Sequence, residues 1–143
     1  TTLLRDIVKN LSDGIDGVIK GQAICVIDER GEISATYKGI CQNDLGLRTD
    51  VINDTPKAIG MRMAIRSMSP KIIVADEIGS KEDVEAIKFA LCSGVKGIFT
   101  AHARDVKEIC RNPELNKLVK EGIFERIIKI ERRNSIICEK NSI

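Results

Sequence analysis

Ile72, Ile73, Val74 and Ala75 form an unbroken apolar run between Pro70 and the acidic pair Asp76 and Glu77. A strand that is apolar at every position has no face to give to water. Both faces must be covered, as in a parallel sheet whose crossover helices pack on it. The flanking sequence supplies such helices. Pro56 can open one, and Ala58, Met61, Ala64, Ile65 and Met68 follow at near-helical spacing until Pro70. Ser80 and Asp83 form a capping-box pattern ahead of Val84, Ile87, Ala90 and Leu91, and Gly94 ends that helix. Gln22 to Ile27 and Val95 to Thr100 read as two further short strands. Strand alternating with helix predicts an open α/β fold with a mostly parallel sheet and flanking helices.

The remaining segments complete this order. Thr1 to Leu11 reads as a helix with Leu3, Leu4, Ile7, Val8 and Leu11 on one face, followed by a loop punctuated by Gly14, Gly17 and Gly21. Gly31 to Asp54 keeps no period and reads as loop or short irregular strand. Helical stretches are expected from about Asp105 to Cys110 and from Pro113 to Lys120. Arg126 to Glu131 and Ser135 to Cys138 read as strands around a turn at Arg133 and Asn134. At 143 residues the chain is long enough for one domain with a buried core.

Composition narrows the function classes. A net charge of +2 gives no basic stripe for nucleic acid, and 3% aromatic residues without Trp give no stacking platform for bases. The five cysteines are widely spaced with no C-x-x-C pair, so neither a zinc site nor a disulfide framework is expected; a reducing cytosolic compartment fits best. No apolar run approaches the ~20 residues of a spanning helix.

Three strands deliver polar residues at their carboxyl ends, where open α/β sheets bind ligands. These are Asp28 and Glu29, then Asp76 and Glu77, then Thr100 and the lone histidine, His102. An apolar strand ending in Asp-Glu matches a Walker B motif, in which the Asp holds Mg²⁺ and the Glu polarises the attacking water. Each feature has a plainer reading. Asp-Glu at a strand end, an ion-paired turn at Asp28, Glu29 and Arg30, or a histidine bonded to a carbonyl is each common alone. Their occurrence in one strand-helix-strand series favours the chemical reading. The start of the chain adds to it. A P-loop, G-x-x-x-x-G-K-[ST], runs straight into a helix, so Thr1 and Thr2 opening one suit a sequence whose P-loop lies upstream, with the Thr1 hydroxyl on Mg²⁺.

TTLLRDIVKNLSDG, VIDERGEIS, NDLGLRTDV, KAIGMRMAIRSMSPKIIVADEIGSKEDVEAI and GIFTAHA resemble, in that order, the bacterial sporulation stage III AA ATPase family. That family is similar to the type II and type IV secretion and pilus-motor ATPases. The resemblance implies a RecA-like P-loop NTPase core in a homohexameric ring, with ATP and Mg²⁺ as ligands. By it, VIDER is an Asp box with Asp28 and Glu29 as candidate acids. IIVADE is Walker B, with Asp76 as metal ligand and Glu77 as catalytic acid. TAH is a His box with His102 on the γ-phosphate side. Arg30, Arg48 and Arg66 are candidates for a charge-stabilising arginine, which often acts from a neighbouring subunit, Arg48 and Arg66 ranking first. The phosphate-cradling glycines and the Walker A Lys are absent from the chain. It is therefore expected to be the C-terminal part of a RecA-like ATPase domain, lacking its first strand, P-loop and N-terminal domain, and inactive alone.

The expected function is ATP hydrolysis energising a membrane-associated export or channel complex during sporulation, with membrane proteins as partners and a cytoplasmic, peripheral location. The alternatives are a structural ring or docking protein with weak or regulatory nucleotide binding, and a DNA motor, which the near-neutral charge disfavours.

Overall fold

In the computed structural model, which describes residues 1–130 and 136–140, the elements run α1 (Thr2–Asp13), β1 (Gly14–Ile15), β2 (Ile19–Lys20), β3 (Ile24–Asp28), β4 (Thr49–Asn53), α2 (Lys57–Ser67), β5 (Ile72–Ala75), α3 (Lys81–Cys92), β6 (Lys96–Phe99), α4 (Val106–Ile109), α5 (Pro113–Lys120), β7 (Arg126–Ile130) and β8 (Ile136–Lys140). Four strands make a parallel sheet in the order β4-β3-β5-β6. The two central strands, β3 and β5, are buried at every position, as their unbroken apolar runs require.

The strand period of two divides the core cleanly. Ile24, Val26, Ile72 and Val74 meet Leu4 and Val8 of α1 on one face of the sheet. Cys25, Ile27, Ile73 and Ala75 meet Met61 and Ala64 of α2, Ile87 of α3 and Leu118 of α5 on the other. Helix α2 lies close on β3 because Gly60 carries no side chain; a Cβ there would stand 2.6 Å from the Cγ2 of Ile27. The expected capping box opens α3, with Asp83 N–H donating to Ser80 Oγ at 3.1 Å and Ser80 N–H donating to Asp83 Oδ2 at 3.1 Å.

The stretch read as loop or short irregular strand and the glycine-punctuated loop both carry short strands. Residues 49–53 of the aperiodic stretch form β4, which pairs with β3 in register from Ile24–Thr49 to Asp28–Asn53. As an edge strand it buries fully only Ile52, so its sequence lacks the apolar run of a central strand. The glycine-punctuated loop after α1 holds the two-residue hairpin β1–β2. Strands β7 and β8 pair antiparallel as a separate hairpin; the turn expected at Arg133 and Asn134 lies outside the described residues, as do Glu131 and Ser135. Cys25, Cys41, Cys92 and Cys110 are free thiols. No described helix is long and apolar enough to cross a membrane.

Candidate active site

The parallel sheet gives the molecule two unlike edges. Strand β5 ends at Ala75, so Asp76 and Glu77 emerge at the carboxyl edge beside the ends of β3 and β6. Helix α1 runs back against the strands. Its last turn sits at the amino edge, where the Ser12 hydroxyl accepts from Arg48 N–H at 2.7 Å, so its first turn points toward the carboxyl edge. Twelve helical residues and five strand residues are each roughly 17 Å long, which brings Thr1 and Thr2 to the level of the strand ends. Both threonines are exposed, and Thr1 makes no side-chain capping bond.

Asp76 is 6% exposed, yet no protein donor reaches its carboxylate among the described residues. Burial, and then the charges of Asp28, Glu32 and Glu77, hold its carboxyl above the usual range; Lys57 works in the other direction. A largely desolvated carboxylate with no protein donor is costly, so the position suits a cation.

Glu77 is held at both its backbone and its carboxylate. Its φ of +47° lies in the left-handed region, rare for a residue with a side chain. Its backbone N–H donates to Thr100 Oγ1 at 3.0 Å. His102 Nε2 meets Oε1 at 2.9 Å, and the Arg30 guanidinium pairs with Oε2. Glu77 thus lines two adjoining cavities. One, of about 390 Å³, is shared with Glu29, Lys57 and Ser80; the other, of about 270 Å³, is shared with His102, Glu108 and Asn112. Glu29 borders the first, its Oε2 held 2.5 Å from Lys57 Nζ.

Three of the expected residues stand differently within the single chain. Asp28 does not project from the strand end: it is the last residue of β3, wholly buried, and accepts from Ser34 N–H at 2.7 Å, Ser34 Oγ–H at 2.6 Å and Ile33 N–H at 3.2 Å. With its oxygens occupied, its work is to fold the loop after β3. Arg48 precedes β4 at the opposite, amino edge, donating to the Ser12 carbonyl at 3.2 Å at the end of α1. Arg66 sits exposed in the last turn of α2, also at the amino edge. Within one chain the ranking therefore reverses, and Arg30 is the arginine at the acid edge.

Lys57 and Asn112 escaped the sequence reading. Lys57 is only 10% exposed and is the cation between Glu29 and Asp76. A lysine directly after the Pro that opens a helix, facing strand-end acids, was the available signal. Asn112 caps α5 and donates to the Gly79 carbonyl at 3.0 Å, tying α5 to the turn after Glu77; the Asn-Pro helix start announced the cap but not the tie.

Comparison with known proteins adds identity to this geometry. Residues 1–137 match the family described as Sporulation stage III, protein AA. The chain is 39% identical over 132 residues, 92% of its length, to Stage III sporulation protein AA of Bacillus subtilis, and covers 43% of that protein. It is 30% identical over 122 residues to the uncharacterized protein ycf45 of Cyanidium caldarium, covering 83% of this chain and 34% of that one. The chain thus spans less than half the length of either relative. Among solved structures, the ATPase DotB of Legionella pneumophila superposes with a TM-score of 0.58 at 17% identity, over 96% of this chain and 40% of that one. The likeness shows the fold, an α/β P-loop NTPase core, as the sequence led one to expect.

Proposed function

Because the chain belongs to the sporulation stage III, protein AA family, we propose that, in a protein of its relatives' length, it is the hydrolytic part of an ATP-driven motor. That motor energises a membrane-associated export or channel assembly during bacterial sporulation. The family and the fold it shares with a named ATPase support the reading. One observation carries it: at the carboxyl edge of a parallel sheet, a nearly buried carboxylate without donors, Asp76, adjoins an acid, Glu77, held between Arg30 and His102.

The residues fit Mg²⁺ and a nucleotide. Mg²⁺ keeps several waters and binds through one or two carboxylates plus phosphate oxygens, so it needs no protein cage, and among the described residues no group of three His, Cys, Asp or Glu forms one. Asp76 and the Thr1 hydroxyl would hold the metal, and Thr2 with the first-turn N–H groups of α1 would face phosphate. MgATP, when bound, supplies the phosphoanhydride bond that is cleaved. Glu77 orients the attacking water and takes its proton, with Glu29 the second candidate for that role. Arg30 and His102 balance the charge that spreads over the transferred phosphoryl group. A homohexameric ring is the assembly this reading implies, with Arg30 the charge-stabilising arginine that the chain itself brings to this edge. Docking on membrane proteins of the stage III assembly would keep the motor cytoplasmic and peripheral to the membrane.

The test is Glu77→Gln in the full-length protein. It should lower kcat by about 10²–10³-fold, the range expected for losing a general base, while MgATP affinity stays within about twofold. Full turnover in that variant would remove Glu77 from its role. Absence of turnover in the unaltered full-length protein would leave the structural-ring reading in its place.

A further inference from the structure

We propose that Thr100 is a positioning residue of this site: its hydroxyl holds the backbone of Glu77 in the left-handed turn that presents the Glu77 carboxylate between Arg30 and His102. The inference rests on the reading of Glu77 as the acid that orients water.

A glutamate at φ +47° returns to an ordinary conformation unless its surroundings over-determine it. Three hydrogen bonds to Thr100 do so here. Thr100 N–H donates to the Ala75 carbonyl at 3.2 Å, and Ile78 N–H donates to the Thr100 carbonyl at 2.9 Å. These are main-chain bonds that any residue at position 100 would make, and they close the ends of β5 and β6. The third is particular to a hydroxyl: Glu77 N–H donates to Thr100 Oγ1 at 3.0 Å. It satisfies the amide of the strained residue itself, at a half-buried position where an unpaired N–H is costly.

Two residues further on, His102 Nε2 stands 2.9 Å from Glu77 Oε1. One short segment, Thr100 to His102, therefore fixes Glu77 at both ends, the hydroxyl at its backbone and the imidazole at its carboxylate. Without the hydroxyl the turn keeps its two main-chain bonds and loses the one that sets where the carboxylate points. Catalysis is sensitive to displacements of about 1 Å, so losing that bond would be felt in turnover and not in the binding of nucleotide.

Valine matches threonine in shape without the acceptor, and serine keeps the acceptor. In Thr100→Val the amide of Glu77 should exchange its hydrogen about tenfold faster by NMR, the factor one hydrogen bond supports, while the Ile78 amide stays within about twofold. In the full-length protein kcat should fall about tenfold with KM within about twofold. Thr100→Ser should restore both. Unchanged protection of the Glu77 amide in Thr100→Val overturns the proposal. So does equal acceleration at Ile78, which would mean that the whole turn opens, and so does unchanged turnover beside an inactive Glu77→Gln. Turnover retained in Glu77→Gln would instead overturn the reading of Glu77, and the amide exchange would still decide for or against Thr100.

Discussion

The two edges of the parallel sheet are made by the same strands and differ in how their polar groups are satisfied. Strands β4, β5 and β6 are entered through Arg48, Lys71 and Lys96; β3 and β5 end in Asp28, Glu29, Asp76 and Glu77. At the amino edge the polar groups settle into ordinary structure, with Arg48 on the Ser12 carbonyl and the Ser12 hydroxyl on the Arg48 amide. At the carboxyl edge Asp76 is buried without a donor and Glu77 sits in a strained backbone. Ser69, which leads into β5 at the amino edge, also takes a left-handed φ of +49°, so backbone strain alone does not separate the edges; the acid Asp76 without a protein donor beside the Arg30–Glu77–His102 cluster marks the carboxyl edge as the site.

The strongest test of that contrast is a pair of arginines that the sequence ranks the other way round. Arg30→Ala in the full-length protein should cut kcat by about 10³-fold, the lower range for a charge-stabilising arginine, whereas Arg66→Ala should leave it within about threefold. Steady-state ATP turnover measures both. A larger loss from Arg66→Ala would show the amino edge of one copy completing the site of another, and the division into scaffold and site would fail.

Within the carboxyl edge the contrast sharpens between neighbours. Asp28 is a carboxylate like Asp76 and just as near a strand end, but it holds Ile33 and Ser34. Asp28→Ala would strip buried N–H groups of their acceptor and should cost roughly 3 kcal/mol of stability, read as a fall in the urea midpoint. A loss under about 1 kcal/mol would mean that the loop after β3 is held by something else.

The fold was largely legible because its central strands leave little choice. IIVA can be satisfied only inside a covered sheet, and the capping box and helix-spaced apolar residues say where the cover comes from. What stayed unplaced was β4, within a stretch read as loop or short irregular strand, because its edge position asks for one buried residue and so leaves no run to read. The site was legible as a set of strand ends but not as a geometry. Asp28 looked like Asp76 because the sequence does not tell which acid a loop folds back upon. The ranking of Arg48 and Arg66 above Arg30 had no view of which edge each residue occupies, since an edge is set by the topology and not by the local sequence. Five strand residues, roughly 17 Å, separate those edges.

Asp76 provides the finest probe of the contrast, through pH. Its folded-state carboxyl lies above the ordinary range, chiefly from burial and then from Asp28, Glu32 and Glu77, while in the unfolded chain it is ordinary. Such a group favours the folded state when protonated and disfavours it when ionised. The penalty is therefore in force at neutral pH and fades as the pH falls through the raised folded value toward the ordinary carboxylate one. Asp76→Asn removes the charge while keeping the shape. In EDTA at about pH 7 the variant should be more stable than the unaltered chain by on the order of 1 kcal/mol, and the gap should close near pH 4. Urea midpoints at the two pH values decide it. Mg²⁺ should then raise the midpoint of the unaltered chain and leave the variant's in place, since a ligand stabilises only the state that binds it. A variant less stable than the unaltered chain at neutral pH would mean that Asp76 finds its partner within the protein, and the acid edge would be as satisfied as the basic one.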